Sequence, residues 1–368
     1  LPVLAPEFGA LGAGGAELQL TLLAKALARR SLDVSMIVAD HGQPDGAEWF
    51  GVKTYKASRP DAGIPGIRAF YPRLTKLWAA MWRADADVYY TMCAGRMLLE
   101  MVAFAHLFKR KAVFGAASDS DCDPSQLLIG RRGDQRLYAA GLRLADAVLA
   151  QTPAQQCALL DNFDRESSVV EALAEFNGKV KPFAERDIDV LWVGNMRPLK
   201  RPDLLIELAK RLPQLSFHMI GGPMPNHADF FETISRQAAQ VPNLTFHGHV
   251  PYHDVTSFFE RARLYASTSN TEGFPNTFLQ AWSCGTPVLS FLDPDDLIRA
   301  QRLGHAVTSL DEMQASLVAL RSDTSTWQAT SSRCLQYMSK HYDEDARLEP
   351  YLQTFTRLAG DRLLRSRA

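Results

Sequence analysis

Short apolar runs alternate along the chain with longer stretches in which apolar residues recur every three or four positions. The runs fall at residues 1–5, 34–39, 88–91, 112–116 and 147–150 in the first half. In the second half they fall at residues 190–193, 216–220, 244–248, 264–266 and 287–291. Short uninterrupted apolar runs predict strands buried on both faces, and the periodic stretches between them predict helices. Helical spacing is clearest at residues 15–30, 72–83 and 348–364. Strand and helix alternating through both halves predict an α/β fold built on parallel sheets covered on both sides.

The periodicity breaks near residues 175–187, where Asn177, Gly178, Pro182 and several charges interrupt it. A chain of 368 residues exceeds one ordinary core, and about 150 residues per domain predicts two. The expected organisation is a first domain over residues 1–176, a linker over 177–187 and a second domain over 188–345. Residues 346–368 are expected to form a terminal helix. Two parallel sheets joined by a linker place a ligand cleft between the carboxyl ends of their strands.

Composition narrows the class. The chain is 46% apolar and 22% charged, which fits a folded globular protein rather than a disordered one. Forty basic residues against 41 acidic ones argue against broad binding to nucleic acid. Cys93, Cys122, Cys157, Cys284 and Cys334 are scattered and form no C-x-x-C pair, so neither a disulfide framework nor a zinc ribbon is expected. A reducing compartment follows, and the expected location is the cytoplasm. No apolar run reaches the roughly 18 residues that span a bilayer, and no signal peptide is visible. The chain begins at Leu1 rather than at a methionine, which leaves open further residues upstream.

Residues 9–17, Gly-Ala-Leu-Gly-Ala-Gly-Gly-Ala-Glu, follow an apolar run and open a helix. Glycines let backbone N–H groups approach an anion, and a helix N-terminus adds partial positive charge, so Gly14 and Gly15 are candidate phosphate contacts. The segment is also a near miss for a dinucleotide fingerprint. Gly12 and Gly14 fit, Asp40 stands where a ribose-binding acid would, but Glu17 replaces the third glycine. A plain flexible turn is the alternative.

The most informative stretch is residues 270–288, NTEGFPNTFLQAWSCGTPV. It predicts a loop, a short helix and a buried strand, with Asn276 able to cap the helix and Gly285 suited to the left-handed position that ends it. Glu272 precedes the helix and Gln280 lies on it. This segment resembles the E-x7-E region of the GT4 glycosyltransferases, which have the GT-B fold of two Rossmann-like parallel-sheet domains facing across a cleft. By that resemblance Glu272 contacts the donor sugar. Gln280 stands where the family has a second glutamate on the ribose, a departure that keeps hydrogen-bonding capacity but loses the charge. Gly273, Phe274, Pro275, Asn276 and Thr277 would face the sugar and diphosphate.

A second match opens the C-terminal half at residues 193–206, VGNMRPLKRPDLLI. It is similar to the family's strand and loop that supply an arginine and a lysine to the diphosphate. Lys200 falls at the lysine. Asn195 occupies the usual arginine position, a second departure, and Arg197 or Arg201 is the substitute, with Arg197 preferred. Fixed cations suit a departing nucleoside diphosphate, which gains negative charge. Gly194, Gly222 after the next apolar run, and Val250 within FHGHVP resemble the family's nucleotide-holding loops. The resemblance covers nearly the whole chain. In this fold the terminal helix crosses back onto the first domain.

Two motifs suggest metal. Asp119-x-Asp121-x-Asp123 resembles a DxD motif, but a calcium loop fails at Pro124 and Gly130, and the GT-B pattern is typically metal-independent. Its position after residues 112–116 instead makes Asp119 a candidate for orienting an acceptor hydroxyl, with a capped loop as the alternative. His247, His249 and His253 form HxHxxxH, but no thiolate or carboxylate completes a site, and no metal is expected. Residues 72–83 carry Leu74, Leu77, Trp78 and Met81 at helical spacing, with Arg73, Lys76 and Arg83. Pro72 suits the first position of that helix. One face is expected to pack on the sheet. The alternative is peripheral contact with an anionic membrane, at its inner face, beside a lipid-linked acceptor.

The resemblance implies a retaining glycosyltransferase. It would move a sugar from a UDP- or GDP-sugar to a sugar, lipid-linked or other glycan acceptor, with no cofactor besides that donor. Two alternatives stand: a nucleotide-sugar-binding protein without transferase activity, and an NAD-dependent oxidoreductase.

Overall fold

The computed structural model describes residues 1–64, 67–176, 178, 180–224, 227–269 and 271–360. The terminal stretch expected to run on to Leu364, the linker residue Asn177 and the loop residue Asn270 lie wholly or partly outside these.

The first half opens with helix α1 (Gly15–Arg29). A three-stranded sheet follows, made of β1 (Val34–Val38), β2 (Glu48–Trp49) and β3 (Val52–Lys56). Helix α2 (Thr75–Ala84) leads into a four-stranded parallel sheet of β4 (Val88–Met92), β5 (Lys111–Gly115), β6 (Ala147–Ala150) and β7 (Ser168–Val169). Helices α3 (Met97–Leu107), α4 (Arg132–Leu144) and α5 (Pro153–Phe163) connect them.

The second half contains β8 (Ile188–Val193), α6 (Pro202–Arg211), β9 (Phe217–Ile220), α7 (Ala228–Ala238) and β10 (Leu244–Phe246). It continues with α8 (Tyr252–Arg261), β11 (Ala262–Ser267), α9 (Asn276–Ser283), β12 (Val288–Ser290), α10 (Leu297–Gln301) and β13 (Gly304–Ala306). Three helices close the described chain: α11 (Leu310–Ser322), α12 (Thr324–His341) and α13 (Glu344–Ala359).

The second sheet is parallel throughout, with strand order β10-β9-β8-β11-β12-β13. The order reverses between β8 and β11, and the helices that follow these two strands, α6 and α9, pack on opposite faces of the sheet. Such a switch point opens a crevice at the carboxyl ends of the strands. Burial follows the period of two expected of strands. On β8, Val190 and Trp192 enter one core, shared with Leu205, Leu208 and Phe217, while Leu191 enters another, shared with Phe259, Phe278 and Trp282.

Two sequence expectations fail locally. Residues 1–5 are buried but form a turn, not a strand, with the Leu4 and Ala5 N–H groups donating to the Leu1 carbonyl at 3.0 and 2.9 Å. Pro2 has no N–H to offer a ladder. The burial of Val3, Leu4 and Ala5 gives the run its strand-like composition. Pro72 does not begin a helix either: it sits within a six-residue wide turn (Ala69–Leu74), and the regular helix starts at Thr75.

The chain passes between the two halves over residues 171–187, whose described part includes a short helical turn at Phe183–Glu185, and passes back between α12 and α13. Helix α13 packs against α1 and β4, with Leu348 and Tyr351 buried beside Leu18, Leu22 and Leu23. Ion pairs Arg29–Glu344, Arg30–Asp345 and Arg347–Glu171 lie along that contact. Among the described residues no helix is long and apolar enough to cross a membrane.

Candidate active site

Two loops meet at the switch point. The β8 loop carries Arg197 and Lys200, the β11 loop carries Glu272, and the latter runs directly into the N-terminus of α9. Lys200 Nζ contacts Glu272 Oε1, and the two side chains are 20% and 18% exposed. Ser269 Oγ donates to the same carboxylate oxygen at 2.8 Å. Thr268 braces the pair from behind. Its hydroxyl donates to the Lys200 carbonyl at 2.8 Å and accepts from Trp192 Nε1 at 2.9 Å.

Arg201 is held by Asp203 through contacts of 2.8–3.1 Å. Arg197 is half-buried in the same loop and has no carboxylate partner among the described residues. Asn195 is half-buried beside it. The backbone N–H groups of Gly273, Phe274, Asn276 and Thr277 have no acceptor among the described residues. They form a cluster of donors at the positive end of α9, next to the Lys200 ammonium.

Asn276 is not the helix cap. Pro275 occupies that position, and Asn276 is the first helical residue. Its side chain is engaged across the cleft: Nδ2 donates to the Gly15 carbonyl at 3.0 Å, and Oδ1 accepts from Gln19 Nε2 at 2.6 Å. Gln19 also makes two bonds to the Leu173 backbone, at 2.9 and 2.8 Å. One buried amide thereby ties α1, the connecting chain and α9 together. Gly15 accordingly lies at the contact, where a Cβ would come within 2.8 Å of Asn276 Nδ2.

Gly273 meets the first half even more closely, since a Cβ there would stand 2.7 Å from the Ala117 carbonyl oxygen. Gly14 caps α1, and the Glu17 carboxylate folds back over it. That carboxylate occupies space a pyrophosphate would need in a dinucleotide site, which counts against the oxidoreductase alternative. At the end of α9, Gly285 adopts φ +64°, the left-handed conformation that terminates the helix.

The loops after β8, β9 and β10 are stitched by backbone bonds: Gly194 N–H to the Ile220 carbonyl, Met196 N–H to Gly222 and Gly221 N–H to Gly248, at 3.0, 3.2 and 2.8 Å. Gly222 lies against the His249 ring, and Val250 packs into the α8–α9 core. Gln280 and Asn276 line a cavity of about 300 Å³ between α1, α8, α9 and residues 173–176.

The three aspartates do not converge. Asp119 is exposed at the cleft, accepts from Gln155 Nε2 at 3.0 Å and lies near Asp295 of the second half. Asp121 turns inward to the Ala117 N–H at 2.9 Å, and burial raises its carboxyl pKa. Asp123 closes its own turn with Ser125 and Gln126. The histidines also diverge. His247 pairs with His218 at 2.9 Å, whereas His249 meets the Gly9 carbonyl at 2.9 Å across the cleft. Among the described residues no group of three or more His, Cys, Asp or Glu is placed to hold a metal ion.

Several participants were not singled out from the sequence. Gln19 had a legible signal, being a polar residue on the apolar face formed by Leu18, Leu22 and Leu23. Ser269 and Thr268 had none beyond adjacency to a strand end.

The family description "Glycosyltransferase Family 4" matches residues 13–172, and "Glycosyl transferases group 1" matches residues 174–294. A D-inositol 3-phosphate glycosyltransferase of Frankia alni is 27% identical over 199 residues, covering 48% of this chain and 47% of its own. The enzyme of the same name from Salinispora arenicola is 26% identical over 245 residues, covering 57% of this chain and 52% of its own. The chain spans about half the length of these curated relatives.

Among solved structures, sucrose-phosphate synthase of Thermosynechococcus elongatus superposes with a TM-score of 0.75 at 18% identity, covering 94% of both chains. Anabaena HepE in complex with UDP and glucose superposes with a TM-score of 0.73 at 17% identity, covering 93% of this chain and 96% of its own. The architecture is therefore the GT-B fold. With both halves matched in order, one by each family description, the chain belongs to the GT4-type glycosyltransferases.

Proposed function

We propose that this protein transfers a sugar from a nucleotide-sugar, first among candidates a UDP-sugar, to an acceptor held in the cleft, with retention of configuration. The observation that carries the reading is the Lys200–Glu272 pair at the switch point, set against the unoccupied N–H donors that open α9. The HepE and sucrose-phosphate synthase likenesses support the fold in which such a site works, and the HepE structure contains UDP.

In this reading the sugar–phosphate bond loosens first. Lys200, Arg197 and the N–H groups of Gly273, Phe274, Asn276 and Thr277 stabilise the charge that develops on the diphosphate. Glu272, released from Lys200, orients the sugar hydroxyls. A diphosphate oxygen takes the acceptor proton on the face that the leaving group vacates, so no protein nucleophile is needed. Asp119, across the cleft, orients the acceptor hydroxyl. Closure of Gly273 onto Ala117 excludes water, which competes with the acceptor.

The acceptor reading extends to lipid. Helix α2 buries Ala80 and Met81 on the sheet, yet Phe70, Tyr71 and Trp82 remain 71%, 66% and 63% exposed. Arg68, Arg73 and Lys76 near them have no carboxylate partner among the described residues. Exposed aromatics with unpaired cations suit an anionic membrane surface.

The test of the main reading is donor binding and turnover together. Ligands that bind only the native state raise its melting temperature. UDP-, GDP- and ADP-sugars are screened for such a shift, and the hits are assayed for nucleotide release with sugar and lipid-linked acceptors. A stabilising donor that is never turned over would favour the binding-protein alternative.

A further inference from the structure

The substitution of Gln280 for a carboxylate raises a physical problem that the surrounding side chains address. An amide has one acceptor and one donor end, and a rotation of its plane exchanges them. To replace a carboxylate that accepts from sugar hydroxyls, the amide must be held with its oxygen outward.

Resting on the donor-site reading above, we infer that Tyr252, backed by Glu175 and Lys25, is a positioning residue that fixes the Gln280 amide so that its carbonyl oxygen accepts a hydroxyl of the donor's ribose. Gln280, Tyr252 and Glu175 all line the same cavity of about 300 Å³, which is continuous with the α9 N-terminus through Asn276. Tyr252 stands between Glu175 and Gln280 on that lining, with its hydroxyl next to both side chains. Because a carboxylate only accepts, the phenol's proton belongs to Glu175, and its oxygen is then left to accept from the Gln280 amide nitrogen. Lys25 Nζ holds Glu175 Oε1 at 2.6 Å. The order is thus ammonium, carboxylate, phenol and amide, with each donor and acceptor role set by the one before.

A second observation shows that the cavity is built for polar groups. Ser283 lies three residues beyond Gln280 on α9, lines the cavity and is 7% exposed, and its Oγ has no hydrogen-bond partner. A buried hydroxyl without a partner is costly unless a ligand or water satisfies it. The chain of contacts also spans the molecule. Lys25 belongs to α1, Glu175 to the connecting chain, and Tyr252 and Gln280 to the second half. Recognition of the ribose is therefore tied to the closed arrangement of the two halves.

The experiment measures dissociation constants by calorimetry for UDP, 2′-deoxy-UDP and 3′-deoxy-UDP, with GDP and ADP as base controls. Three proteins are compared: the wild type, Tyr252→Phe and the double variant Tyr252→Phe/Gln280→Glu. In the wild type, removal of the recognised hydroxyl should weaken binding about tenfold, the scale of one hydrogen bond. Tyr252→Phe keeps the ring and frees the amide, so discrimination between UDP and its deoxy analogues should fall to about twofold or less. The double variant should recover it, because a carboxylate accepts from either oxygen and needs no orienting partner.

Unchanged discrimination in Tyr252→Phe would overturn the inference. So would a double variant that melts with the wild type yet fails to recover, since a purely structural role for Tyr252 gives that result. Equal binding of UDP and both deoxy analogues by the wild type would also overturn it, while leaving the donor site standing. Failure of the wild type to bind UDP, GDP or ADP at all would instead overturn the donor-site reading itself.

Discussion

Replacing Lys200 with methionine keeps most of the side-chain stem and removes one positive charge from the mouth of the cleft. Lys200 is 20% exposed and its Glu272 partner 18%, so the charge acts in surroundings less polar than bulk water. At an effective dielectric constant near 20, two unit charges about 4 Å apart interact by about 4 kcal/mol. Only the charge gained on the way to the transition state affects turnover, and removing one fixed donor at a developing anion costs about 10²–10³ in kcat. That is the expected loss for Lys200→Met.

The fold should change little. Glu272 keeps its 2.8 Å bond from Ser269, and an ion pair at a solvent-facing cleft contributes about 1 kcal/mol or less. For a domain of this size that corresponds to about 2–4 °C in melting temperature. The assay is nucleotide release from the best donor under steady-state conditions, with thermal unfolding followed on the same samples. Turnover within threefold of the wild type would refute the assignment of this charge to the leaving group. A loss of activity accompanied by a large fall in melting temperature would refute the argument that the pair is functional rather than structural.

Other consequences follow from single contacts. Gly273→Ala would place a methyl group 2.7 Å from the Ala117 carbonyl oxygen, so the cleft should close incompletely and the donor KM should rise about tenfold or more; an unchanged KM contradicts the closure role. Arg186 is fully buried without a carboxylate and donates to the Ala262 and Cys284 carbonyls at the ends of α8 and α9, and to Thr286 Oγ1, at 2.5–2.7 Å. Arg186→Met strands these acceptors and should cost about 3 kcal/mol in urea unfolding, whereas a cost below about 1 kcal/mol contradicts the account.

Burial, and then the neighbouring His247, lowers the His218 pKa from 6.5 to about 4. The unfolded chain therefore takes up this proton first, and stability should fall as pH drops from about 6.5 towards 4. His218→Gln should flatten that part of the profile, and an unchanged slope would refute the linkage. Finally, Phe70→Ser/Trp82→Ser should abolish flotation with vesicles rich in anionic lipid, and failure of the wild type to float would remove the membrane reading.

The repeating strands and helices of both halves were legible because burial on two faces demands short apolar runs, and β8 and β11 carry them plainly. Glu272, Lys200 and the residues opening α9 were legible because glycine, proline and charge crowd the exits of those strands. What the sequence hid was largely long-range. Residues 1–5 have the composition of a strand, but their turn is decided by two backbone bonds to Leu1 and by Pro2. Asn276 has the right chemistry for a cap. Its side chain crosses the cleft instead, because Gln19 and Gly15, more than 250 positions earlier, offer partners. Asp119, Asp121 and Asp123 alternate in sequence as metal ligands do, but a short turn of helix points them three ways. No local pattern could have joined Lys25, Glu175, Tyr252 and Gln280.

The central claim is that a pyrophosphate binds where the exits of β8 and β11 meet the start of α9. A crystal structure of the protein with UDP tests it most directly. The account predicts the diphosphate within hydrogen-bond distance of Lys200 Nζ and of N–H groups among Gly273, Phe274, Asn276 and Thr277, with Lys200 drawn away from Glu272. UDP bound at another surface, with the Lys200–Glu272 contact intact, would contradict it.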